Sequence, residues 1–219
     1  LKKFFTDNGL SIALFSLFVV CIVAQSYSGF FAYNDMLKQA RLSPVAFASF
    51  LASGTFLDGV FSNWQAAILQ LTVLIGFSSI LRQRGAAHSR KSSDEPTGDE
   101  APNKRRKAEP FGRVRNLGNL YKNSLSIAFS TFFVVLFAIH SVTGWRFNNE
   151  ALAIAHLPAV ELLKYLRSSS FWFSNFQTWE AEFFAIAFYI VASIFLRQQN
   201  SPESKKIDAP NDESGDTNE

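Results

Sequence analysis

A polar side chain inside a long apolar run is costly in hydrocarbon, so such residues are the first candidates for chemistry. Five stand out: Gln25, Gln65, His140, Glu180 and Glu182. His140 lies near the far end of an uncharged stretch that begins after Lys122, and Gln25 holds the same place in an earlier stretch. Glu180 and Glu182 follow Trp179 at the start of the last apolar stretch, where Gln65 and Ala67 follow Trp64 in its counterpart. A histidine beside a carboxylate can pass a proton or hold a cation, because imidazole changes charge near neutral pH. At helical rise Glu182 would sit about 4.5 Å inside Trp179 and His140 about 7.5 Å inside Trp145, so the two could meet. The expected pair is His140 with Glu182 or Glu180. It would act as a proton or cation relay, or else as a structural contact near the membrane surface, where polar groups cost little.

The sequence offers no other site. His88, His140 and His156 are scattered, and Cys21 is the single cysteine, so no metal-ligand spacing and no intrachain disulfide arises. There is no glycine-rich phosphate loop and no nucleophile elbow. Ser168-Ser169-Ser170 has no base nearby in sequence and reads Ser53-Gly54-Thr55 in the first half; a turn ahead of a helix is its meaning. The expectation is therefore no catalytic residue, no cofactor, no metal and no enzyme.

The elements that must position these residues are membrane helices. No charged residue falls between Asp7 and Asp35, between Asp58 and Arg82, or between Lys122 and Arg146. A fourth apolar stretch runs from about Trp179 to Leu196. Crossing a hydrocarbon core takes about 20 residues, and only a helix satisfies a continuous apolar backbone there, since these runs lack the period-two alternation of a barrel. The fold class is thus all-α integral membrane, with four spans. Basic residues set the orientation. Of 21 Lys and Arg, only Lys38, Arg41, Arg146, Lys164 and Arg167 fall in the two loops opposite the termini. The basic side should be cytoplasmic, with N-terminus, central linker and C-terminus on it.

The two halves align without a gap at an offset of 115 residues. Asn8 to Ala13 meets Asn123 to Ala128, Phe18-Val19-Val20 meets Phe133-Val134-Val135, and Leu81-Arg82-Gln83 meets Leu196-Arg197-Gln198. Ser26, Gly29, Phe56, Phe61 and Trp64 meet Ser141, Gly144, Phe171, Phe176 and Trp179. About a third of the positions from Asn8 to Gln83 are identical, more than shared hydrophobicity gives. The internal copy of the first span cannot be a signal peptide, so neither is the first span. Two spans per copy make the copies parallel, related by an axis along the membrane normal. The sequence divides into 1–85, a first two-span repeat; 86–115, a disordered basic and acidic linker; 116–200, a second two-span repeat; and 201–219, a disordered tail. In each outer loop a short interfacial helix is expected: Ser43-Pro44 would start the first, with Phe47, Phe50 and Leu51 on one face, and Leu162, Tyr165 and Leu166 are their counterparts. Trp64 and Trp179 are read as interface anchors at the outer ends of the second and fourth spans, and Arg82 and Arg197 as anchors at their cytoplasmic ends. Lys104-Arg105-Arg106-Lys107 has the form of a nucleic-acid patch, but beside a span it reads as an anchor to anionic headgroups.

The segments LKKFFTDNGLSIALFSLF, FSNWQAAILQ, SSSFWFSNFQTWEAEFFAIA and SIFLRQQNSPESK resemble a family of uncharacterised bacterial membrane proteins, over nearly the whole chain outside linker and tail. In that family the Trp is followed closely by Glu, as in Trp179-Glu180-Ala181-Glu182; the first copy has Trp64-Gln65-Ala66-Ala67 instead. The resemblance implies this fold and a bacterial inner-membrane location, and it brings no established activity with it. Two functions compete: a non-enzymatic structural or interaction module, and a small transporter or channel using the outer polar cluster. The partner is the lipid bilayer, with the basic linker near anionic headgroups and no nucleic acid; a homo-oligomer and a separate membrane partner both stay open.

Overall fold

The computed structural model of the chain describes residues 2–90 and 118–215. Most of the expected linker, with Lys104 to Lys107, lies outside them. The described residues form eight helices and no strand: α1 (Lys2–Asp7), α2 (Gly9–Gln39), α3 (Phe47–Leu51), α4 (Gly54–Ile80), α5 (Gly118–Lys122), α6 (Ser124–Ile154), α7 (Leu162–Leu166) and α8 (Ser169–Phe195). Four of these, α2, α4, α6 and α8, are long and apolar enough to cross a membrane. At helical rise α2 and α6 are about 46 Å long and α4 and α8 about 40 Å, against a hydrocarbon core of about 30 Å. Their outward faces are apolar: Leu10, Phe15, Phe184 and Phe188 are all exposed. In water each would forgo roughly 1.5–3 kcal/mol of burial, so the surroundings these faces fit are lipid. This is the character of a membrane protein.

The helices correspond in pairs at the 115-residue offset, and so do the contacts that shape the loops. The Asn34 carboxamide accepts from Val45 N–H (2.8 Å) and donates to Val45 C=O (3.2 Å). Asn149 does the same with Val160, at 2.8 and 3.0 Å. Each asparagine thus pins the loop that follows its long helix. Arg41 and His156 take positive φ (59° and 57°) just past the ends of α2 and α6. There Leu42 N–H donates to Leu37 C=O and Leu157 N–H to Leu152 C=O, both at 2.8 Å, an arrangement that terminates a helix by returning the chain on itself.

The short outer helices form where expected but start later than Ser43-Pro44 implies: α3 begins at Phe47, after Ala46 in extended conformation. The cause is Asn34, which takes both backbone groups of Val45 and keeps that segment out of the helix. The second and fourth spans start earlier than the apolar runs imply. Ser53 and Ser168 side chains accept from Phe56 and Phe171 N–H, each at 3.2 Å. This is N-capping, which satisfies an otherwise orphaned helix donor. Consequently Trp64 and Trp179 sit ten positions inside α4 and α8 instead of at their ends. Arg82 and Arg197 follow two positions after each helix.

By contact the chain divides into two compact units, Leu1–Ser62 with Ala138–Trp172, and Asn63–Phe137 with Phe173–Glu219. The core of the first holds Leu37, Phe50, Tyr165 and Phe171. Phe50 packs on Phe56 and Tyr165 on Phe171, with ring centroids 5.3 Å apart in both cases. Gly29 is required beneath Phe50, because a Cβ there would come within 2.8 Å of the ring.

The second unit holds Ala66, Leu136 and Asn175 buried among its helices, and a set of turns that follow α4 and α8. Gln83 N–H donates to Ser89 Oγ (2.9 Å) and Gln198 N–H to Ser204 Oγ (2.8 Å). The tail composition predicts no fixed structure after Ser201, yet residues 201–215 form successive turns. Lys205 explains this: its buried ammonium donates to the carbonyls of Pro210, Asn211 and Glu213, between 2.9 and 3.2 Å. Three charge-assisted bonds from one cation fold a short polar segment around it.

If the two asparagines do the same work, Asn34→Ala and Asn149→Ala should each lower stability by about 1–3 kcal/mol, since each leaves Val45 or Val160 N–H without its acceptor. Thermal unfolding in detergent would measure this. A loss in one variant only would mean that the matching geometry does not carry matching energy.

Candidate functional site

The site begins with the first turn of α4. Glu150, near the end of α6, places Oε1 at 2.5 Å from Gly54 N–H and Oε2 at 2.9 Å from Thr55 N–H, and the Thr55 hydroxyl adds a bond of 3.0 Å. A carboxylate on the first amides of a helix meets both unpaired donors and the positive end of the helix dipole. Arg146, one turn earlier on α6, donates to Ala52 C=O at 2.7 Å. Gly54 permits the close approach, because a Cβ there would collide with the backbone of Arg146 and Phe147.

One turn further along α4 lies Asp58. Its Oδ1 is 3.0 Å from Nδ1 of His140. The imidazole is buried, and the Asp58 side chain is 17% exposed. The Phe171 ring stacks on the imidazole, with centroids 5.7 Å apart and planes at 21°. Gly144, one turn beyond His140, leaves room for the cluster: a Cβ there would come 2.8 Å from the Tyr165 hydroxyl, 2.9 Å from Asp58 Oδ1 and 3.6 Å from His140 Cε1. Three polar groups from α4, α6 and α7 therefore converge over one glycine. Burial, and then the charge of Asp58, push the Tyr165 phenol up from 10.0 to about 12. It stays neutral and can donate.

The other sequence candidates separate. The carboxylate that the structure shows beside His140 is Asp58, a residue the sequence marks only as the edge of an uncharged stretch. Glu180 is exposed, and Glu182 offers its backbone carbonyl to Gln70 Nε2 at 3.0 Å. Gln65 is fully buried; its carbonyl accepts from Trp179 Nε1 at 3.0 Å and its amide reaches Asn175 Oδ1 at 3.4 Å. Trp179 is thus a hydrogen-bond donor inside the protein. Gln25 is exposed but lies beside α4, 3.4 Å from where a Gly59 Cβ would be. Among the described residues no group of three or more His, Cys, Asp or Glu could hold a metal ion.

A family model matches residues 1–216, nearly the whole sequence. The chain belongs to DUF6766, a domain of unknown function. No curated protein and no solved structure matches it. Asp58, His140, Glu150 and Tyr165 all fall within the DUF6766 match.

Sequence reasoning found His140 and missed its partner. Asp58 marks the edge of an uncharged stretch, and an edge residue reads as solvated. The available signal was positional: Ser53-Gly54 starts a helix, and that places Asp58 within its second turn. Glu150 was visible only as the match to Asp35 at the 115-residue offset. In this structure Asp35 instead pairs with Lys38 on the exposed side of its own helix, at 3.0 Å.

The raised phenol gives a pH test. A Tyr whose folded pKa lies above its unfolded value contributes stability that is complete below pH 10.0 and lost as pH rises toward about 12. Titrating tyrosinate absorbance in the wild type and in Tyr165→Phe should give a difference that appears only near the upper value. In Asp58→Asn it should appear at lower pH, because the opposing charge is gone. A difference already complete at pH 10.0 in the wild type would contradict the packing of Tyr165 against Asp58.

Proposed function

We propose that this chain is a non-enzymatic multi-pass module of the bacterial inner membrane, with both ends of the described chain and the central linker in the cytoplasm. In this reading it is built from two parallel copies of one two-span unit. The observation that carries it is where the buried polar groups point. Glu150 binds the start of α4, His140 takes Asp58, and Gln65 takes Trp179 and Asn175. Each joins one helix of the chain to another, which is how polar side chains fix helix packing where lipid gives apolar faces no preference. The concentration of Lys and Arg on the linker side supports the orientation, and the basic linker would rest near anionic headgroups.

A second reading, a small transporter or channel, draws on a different observation: an acid and a base meet inside membrane-crossing helices. Ionisable residues there often mark proton and ion pathways. The polar cluster for such a role would be Asp58, His140 and Tyr165.

Two measurements separate them. Gln65→Leu leaves the Trp179 and Asn175 partners unpaired and should lower stability by about 1–3 kcal/mol. Proteoliposomes holding the wild-type chain should conduct protons and potassium no faster than empty vesicles. A flux that disappears in His140→Ala would replace the scaffold reading with the transport reading.

A further inference from the structure

Hydrocarbon penalises a hydrogen-bonding group that has no partner, so an unpartnered amide on a membrane-crossing helix points to an occupant from outside the chain. Gln25 is such a group. It is exposed on α2, and its carboxamide has no hydrogen-bond partner among the described residues. The Tyr33 hydroxyl, eight positions further along α2, has none among them either. Both side chains line one cavity of about 260 Å³.

The cavity is a groove between α2, α3 and α4, entirely within the first compact unit. Gly29 and Ala32 add little bulk from α2, and Phe50 and Phe56 wall it from α3 and α4. Thr55 also lines it, but its hydroxyl is committed to Glu150 at 3.0 Å. The lining on α2 runs from Gln25 to Met36, about 16 Å of helix. Spread over that length, 260 Å³ leaves a slot only a few ångströms across. Such a slot admits a single chain of carbon atoms, which pack about 3.5–4.0 Å from their neighbours. It excludes the helix of a second copy, which is about 10–12 Å across with its side chains.

We propose that this groove binds one phospholipid. Around its glycerol a phospholipid carries acceptors, with phosphate oxygens at the surface and ester carbonyls deeper. The two unpartnered groups of the groove can both donate, and they stand in the same order. Tyr33 lies two positions before Asp35, where the uncharged run ends, so its hydroxyl is at headgroup depth. It donates to a phosphate oxygen. Gln25 lies about 12 Å deeper along the helix, and its amide donates to an ester carbonyl. The acyl chain continues past Phe18 and Leu14, which are exposed and share the Gln25 face at helical spacing. Arg41, just past the phosphate end of α2, is exposed and has no ion-pair partner among the described residues. Its charge favours an anionic phosphate there. A seated lipid of this kind goes beyond the bilayer as surroundings, and it holds under either function above.

The test titrates the full chain, purified in detergent, with phosphatidylglycerol and counts bound lipid by native mass spectrometry. The wild type should hold one lipid through conditions that strip the others. Ala32→Phe introduces the side chain that Phe147 has at the matching place in the second half. It fills the groove and should abolish retention of that lipid. Gln25→Leu and Tyr33→Phe should each weaken binding of the first lipid by about two- to tenfold, the net worth of one hydrogen bond. Should Ala32→Phe not fold, Tyr33→Phe decides alone. It removes one oxygen and keeps the ring packed on Phe50, with centroids 5.5 Å apart. First-lipid affinity equal to that of the wild type in the deciding variant would overturn the proposal. So would a wild type that retains no lipid, or one that forms a lipid-free dimer.

Discussion

Hydrocarbon gives a polar group nothing to bond with, and the rest of this structure follows from that. A helix that begins near a membrane core has four amides to satisfy, and α4 meets the need with Ser53 in sequence and Glu150 from α6. The Glu150 carboxylate is what brings α6 close enough for Gly54 to matter, and that approach sets the register in which Asp58 finds His140. Remove the carboxylate and two donors lose their acceptor at once, at the point where the two helices touch most closely.

Much of the fold was legible because apolar length is a strong signal. Runs free of charge and the 115-residue match together place four helices and two loops of equal length. Helix ends were less legible. The runs seem to end at charges or at Trp only if charge is taken to mean water, whereas Asp58 and Glu150 are charged and lie inside helices. The site was half legible for the same reason: His140 stands out within an apolar run, while Asp58 looks like the run's boundary. The turns after α8 were illegible because Lys205 reads as a surface lysine. Nothing in the sequence shows three carbonyls curling around its ammonium.

Some local geometry recurs at the 115-residue offset, and some belongs to one half alone. The loop asparagines, the N-capping serines and the stacked aromatic pair recur with nearly the same distances. On the face that α6 presents to α4 the halves differ at three places: Gly54 where the second half has Ser169, Asp58 where it has Phe173, and His140 where the first has Gln25. Ser169 could not reproduce the approach that Gly54 allows, because any Cβ there meets backbone.

The turns beyond the long helices bear on how the molecule is made. Gly85 N–H donates to Ser214 Oγ at 3.0 Å, Gly215 N–H to Ala86 C=O at 3.0 Å, and Arg84 reaches Asp212 at 3.2 Å. Synthesis runs from the N-terminus, so residues 84–86 leave the ribosome long before 212–215 exist. The exit turn of the first hairpin therefore waits, its glycine amide hydrated, until the second hairpin has been translated. Its completion is a late step in biogenesis, and only a chain that has been read through both halves can take it.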